Sequence, residues 1–84
     1  MIPRIKEVVP QEDYKLLITF DSGEKVLYDV AEDIEDISEF SVLKTEYGLF
    51  KHFQLDESRT VIYWNDWVDL PSDTLLEYGS KIKN

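Results

Sequence analysis

Cysteine is absent from the 84 residues. That excludes a disulfide scaffold, a thiolate-held zinc and a cysteine nucleophile. Glycine occurs only at Gly23, Gly48 and Gly79, each alone beside an expected element boundary. No glycine-rich loop is therefore available to cradle a phosphate. His52 is the one histidine, and without a serine-nucleophile motif it does not suggest a triad. No apolar run is long enough to cross a bilayer, and no basic-then-apolar leader opens the chain. A cytoplasmic protein without membrane contact is the expectation.

Basic residues are also few. Nine Lys and Arg stand against 18 Asp and Glu, a net charge of −9. Nucleic-acid affinity comes mostly from neutralising phosphates, so direct binding of DNA or RNA by this chain alone is not expected. The acids are concentrated. Residues 29–46 hold seven acids and one Lys, a local charge of −6. Such a surface favours solubility and attracts a basic partner.

What the chain does have is aromatic content: five Tyr, four Phe and two Trp. These bury large apolar areas and suit a single small domain that folds without staples. The domain is expected over residues 1–79, with residues 80–84 a basic tail that frays.

YKLLITF (Tyr14–Phe20) and KVLYDV (Lys25–Val30) alternate apolar and polar residues around the turn sequence DSGE. Keeping both apolar rows on one face requires paired residue numbers with an even sum. A three-residue loop, Asp21-Ser22-Gly23, satisfies this, with Gly23 in the left-handed region. Ile18 then faces Val26, Leu16 faces Tyr28, and Leu17 faces Leu27 on the second side. Two leucines side by side on that side call for a covering helix or a partner.

Ile34, Ile37 and Phe40 recur at helical spacing within the acidic run and predict a helix inside residues 32–47, with a break near Ser38 or Ser41, stopped by Gly48. Its acids lack the glycine at position six that a calcium loop needs. No metal or other cofactor is expected, and no enzyme activity. Thr60–Trp64 reads as a strand, Ser72 as a helix N-cap and Gly79 as that helix's stop. Strands dominate and hairpins outnumber crossovers, so the predicted class is α+β, a mainly antiparallel sheet in β-β-β-α-β-β-α order.

Three segments in order carry a resemblance. They are MIPRIKEVVPQEDYKLLITFDSGEKVLYDV, FSVLKTEYGLF and WNDWVDLPSDTLLEYG. The chain resembles the bacterial domain of unknown function numbered twenty-four forty-two over nearly its whole length. Members often show Pro-Asn-Gly after the tryptophan, where this chain has Asn65, Asp66 and Trp67. A tryptophan in place of glycine implies a different turn and makes Trp67 a candidate contact. The resemblance transfers no catalytic residues. It implies context: members stand alone, are joined to helix-turn-helix domains, or lie beside another small domain in arrangements resembling toxin–antitoxin pairs.

The resulting expectation is a non-catalytic protein-interaction or regulatory module, with the antitoxin-like member of a pair as one form of it. Its binding residues would be Leu17, Leu27, Glu32, Glu35, Asp36, Asp66, Trp67 and Asp69. The partner would be a protein of basic character, and association of like chains is compatible with the same features. The alternative is a small-ligand sensor with a pocket lined by Tyr63 and Trp64.

Overall fold

The computed structural model describes residues 2–46, 48–65 and 67–82. Three strands open the chain: β1 (Ile5–Gln11), β2 (Lys15–Phe20) and β3 (Lys25–Asp29). Helices α1 (Val30–Asp36) and α2 (Val42–Thr45) follow. Strands β4 (Gln54–Leu55), β5 (Val61–Tyr63) and β6 (Asp69–Pro71) lead to α3 (Ser72–Tyr78) and a last strand, β7 (Ser80–Ile82). Every pairing is antiparallel, in one sheet ordered β1-β2-β3-β7 and a second ordered β4-β5-β6. The fold is α+β, as the sequence predicts.

The β2–β3 hairpin has the register derived from its alternation. Ile18 pairs with Val26, Leu16 with Tyr28 and Leu17 with Leu27. The loop holds three residues: the Phe20 N–H donates to the Glu24 carbonyl, and Gly23 sits at φ +94°. Leu16, Ile18, Phe20 and Val26 point inward and are fully buried with Ile62, Val68 and Leu75. Each such side chain contributes about 1.5–3 kcal/mol by leaving water.

The helical middle starts earlier than predicted and is interrupted beside Ser38, with α2 resuming at Val42. Asp29 is its N-cap, accepting from the Ala31 N–H at 3.0 Å. The helix closes at Asp36, and Ile37 is extended at φ −117°. One turn of 3-10 helix follows, fastened by Ser41 Oγ donating to the Ser38 carbonyl at 2.8 Å. The break rotates the stripe: Ile34 and Phe40 are buried, while Ile37 is 40% exposed.

Two further expectations are corrected. Ser72 is not the cap of α3. It is the first helical residue after Pro71, its N–H donates to the Thr60 carbonyl at 2.7 Å, and its hydroxyl is buried. Residues 80–82 do not fray. Ser80 pairs with Leu27 and Ile82 with Lys25, so they form an edge strand of the first sheet. Lys83 and Asn84 lie outside the described residues.

Candidate functional site

The acidic run is placed by the cap that starts it. Asp29 ends β3 and turns the chain into α1, so the carboxylates of Glu32 and Asp33 stand over the open end of β3. The short β7 pairs only with residues 25–27, leaving that end unpaired on its outer side. The C-terminal end of α3 also borders it. The result is a groove of about 460 Å³. Leu27 and Tyr28 of β3, Asp29, Glu32 and Asp33 at the start of α1, and Tyr78 of α3 line it.

Tyr28 joins the sheet to the helix in this groove. Its hydroxyl donates to Asp33 Oδ2 at 2.6 Å. Burial pushes the Tyr28 phenol far above its ordinary range, and the Asp33 carboxylate pushes it further. Tyr78 is 72% exposed. Three carboxylates beside an open aromatic face form a surroundings that favours a cation over an anion. No three His, Cys, Asp or Glu side chains among the described residues converge as a metal-binding set.

The predicted binding residues are split between places. Leu27 and Glu32 line the groove. Glu35 and Asp36 are exposed further along α1. Leu17 is beside Leu27 on the outer face of the first sheet, and both are half-buried. Trp67 and Asp69 belong to the β5–β6 hairpin and do not line the groove. Asp66 lies outside the described residues.

Trp67 is held out by its own turn. Asn65 Oδ1 accepts from the N–H groups of Trp67 at 2.8 Å and Val68 at 2.9 Å. The Trp64 N–H donates to the Val68 carbonyl and closes the loop. These bonds hold the N–H groups of Trp67 and Val68 while the Trp67 side chain stays 75% exposed. Rigid presentation lowers the entropy lost when such a side chain docks.

Trp64 is used differently. Its indole Nε1 donates to the Phe50 carbonyl at 2.9 Å, and its ring stacks on Phe50 with centroids 6.0 Å apart. Tyr14 meets the same Phe50 edge-on at 5.3 Å. Trp64 is therefore a buried anchor between β5 and the 3-10 turn Leu49–His52. The opening in this region lies on the other side of the cluster. It is a groove of about 520 Å³ bordered by Tyr14, Phe50, Lys44 and Lys51. Asp13 and Tyr14 at its edge are both left-handed, at φ +61° and +60°.

Tyr28, Asp29, Asp33 and Tyr78 are not among the residues that the sequence marks for binding. Tyr28 reads as an inward position of β3, which it also is. Tyr78 reads as the last residue of a helix, and only the return of β7 places it opposite α1.

Comparison with curated proteins and with solved structures gives no match. The sequence model of a family described as "Protein of unknown function (DUF2442)" matches residues 5–80. That span takes in both sheets except the last two residues of β7, all three helices and the acidic groove, and the chain belongs to this family.

Proposed function

We propose that the chain is a non-catalytic interaction module that binds a basic protein partner through the groove between β3, α1 and α3. The observation that carries this reading is the placement of Asp29, Glu32 and Asp33 around an open cleft with Tyr78 exposed beside them. A lysine or arginine side chain entering there meets carboxylates and an aromatic face together. Glu35 and Asp36 extend the negative surface along α1 and steer a basic partner toward it. Trp67 is a second, separate contact of the kind that dominates protein interfaces. An antitoxin-like role is one form of this activity, in which the partner is a basic toxin-like protein.

The test is calorimetric titration with a lysine-rich peptide and with an acidic peptide of equal length. Only the basic peptide should bind, and its affinity should fall steeply with salt. Glu32→Lys together with Glu35→Lys should reduce binding at least about tenfold, since each charge reversal turns attraction into repulsion. Equal binding of both peptides, or no effect of the reversal, would refute the reading.

A second reading, a small-ligand sensor, is favoured by the Tyr14–Phe50 groove rather than by Tyr63 and Trp64. A thermal-shift screen of metabolites addresses it. A stabilising compound should lose its effect in Tyr14→Ala.

A further inference from the structure

The outer face of the first sheet is apolar through its middle and neutral in charge, on a chain of net charge −9. The pairings define its rows. Val9, Leu17, Leu27 and Ser80 form the central row. Glu7, Thr19, Lys25 and Ile82 lie on one side of it, and Gln11, Lys15 and Asp29 on the other. None of these side chains is fully buried, and Val9 and Ile82 are each 39% exposed. Two acids, Glu7 and Asp29, balance two bases, Lys15 and Lys25. Among the described residues, neither lysine is in an ion pair.

We propose that this face packs against the same face of a second copy of the chain, about a two-fold axis running along the central row. Such an axis keeps each strand over its own counterpart and exchanges the two flanking rows. Val9, Leu17 and Leu27 then meet their own copies. Lys25 falls opposite the partner's Asp29, and the symmetry makes that ion pair twice. Lys15 falls opposite Thr19, and Glu7 opposite Gln11, so no like charges meet.

Charge selects the occupant. A basic partner is drawn to the acidic helical surface, not to a neutral face. Two copies of a chain at −9 repel over most approaches, and this face lets them meet with their charges paired. Asp29 stands where the face meets the acidic groove, so Lys25 of the second copy is a cation delivered to that rim. An axis parallel to the strands also pairs Lys15 with Asp29 and Leu17 with Leu27, but it is worse because it sets Glu7 over Ile82 and Val9 over Ser80 and leaves Gln11 without a counterpart.

The sheet spacing limits the strength. Four strands about 4.8 Å apart and about 17 Å long offer roughly 300 Å² of flat area. That lies in the small class of interface, so the dimer should dissociate on dilution.

Sedimentation equilibrium of the full chain from about 5 to 300 μM provides the test. A monomer–dimer equilibrium is expected in the wild type. Leu17→Lys should give a monomer at every concentration, and Lys25→Glu should weaken association about tenfold. Circular dichroism establishes that each variant is folded. Because the chain has no cysteine, Leu27→Cys gives a single attachment point. A short bismaleimide should cross-link it to its own copy much faster than Ser38→Cys, which is exposed elsewhere. A wild type that is monomeric throughout, a dimer unchanged by Leu17→Lys, or equal cross-linking at residues 27 and 38 would each overturn the proposal. Val9→Lys, in the same central row but outside the groove and the expected binding residues, should also weaken the dimer and still bind the lysine-rich peptide, so loss of the dimer and loss of groove binding are read separately.

Discussion

Arg59 grips Asp21 with both ends of its guanidinium, Nη1 to Oδ1 and Nη2 to Oδ2, each at 2.8 Å. Nη1 also donates to the Ile5 carbonyl at 3.2 Å, and the Ile5 N–H donates to the Arg59 carbonyl at 2.7 Å. One residue of the β4–β5 turn, itself left-handed at φ +60°, thus ties the second sheet to β1 and to the β2–β3 loop.

This clasp makes stability depend on acid. Its hydrogen bonds hold the Asp21 carboxyl below the usual 3.8. The Ser58 hydroxyl and the N–H groups of Thr60 and Val61 do the same for Asp56. A carboxyl whose folded pKa is depressed contributes stability above its unfolded pKa. That contribution is lost as pH falls through the folded value. The urea midpoint of Asp21→Asn should lie below wild type by a constant amount from about pH 7 to pH 5. The gap should close on acidification below about pH 4. Comparing the two chains cancels the relief of acidic self-repulsion that both share.

The two tryptophans should separate cleanly. Trp64→Phe removes the donor to the Phe50 carbonyl and leaves that oxygen unpaired in the core, at a cost of about 1–3 kcal/mol. Trp67→Ala should stay within about 0.5 kcal/mol of wild type, because its side chain packs against little. Urea unfolding measures both. Acrylamide quenching supplies the check: wild type should show one accessible and one protected indole, and Trp67→Phe should remove the accessible one.

The β2–β3 hairpin was legible because two constraints, both apolar rows on one face and a three-residue turn ending in Gly23, together give its register. The α1 start was less so, because Asp29 looks like the polar end of a strand until its carboxylate is seen capping Ala31. The groove was only half legible. Glu32 and Leu27 could be named from charge and pairing, but Tyr78 reaches them through β7, a strand of three residues with too little pattern to read. Trp67 was readable as an oddity, and Asn65 explains it. The side chain does the turn-closing work for which a glycine would otherwise be used.

Gly79 illustrates the same limit. The sequence suggests a helix stop that needs left-handed backbone, yet its φ is an ordinary −73°. What it needs is space. A Cβ there would stand 2.5 Å from the Leu75 carbonyl oxygen and 3.0 Å from Val26 Cβ. Gly79→Ala should cost about 1–3 kcal/mol by forcing α3 off β3. Ser72→Ala, by contrast, should be neutral or slightly stabilising. Its buried hydroxyl has no partner among the described residues, so removing it loses no bond. Thermal melts of the two variants should move apart, and a large loss in Ser72→Ala would restore the capping role.

The Tyr28–Asp33 bond should be visible in alkali. Burial first, and then the Asp33 carboxylate, raise the Tyr28 phenol far above the usual value near 10. Phenolate absorbance should therefore show a tyrosine fraction, that of Tyr28, still protonated at about pH 11. Tyr28→Phe should abolish that late fraction. Asp33→Asn should bring it only partway down, because burial is the larger cause and remains. A folded pKa above the unfolded one contributes stability that is complete below pH 10. It is lost as pH rises through the folded value. Wild type should therefore lose stability above about pH 10 while Tyr28→Phe stays flatter there. If Tyr28→Phe tracked the wild type through that range, the fold would not be holding the Tyr28 phenol protonated.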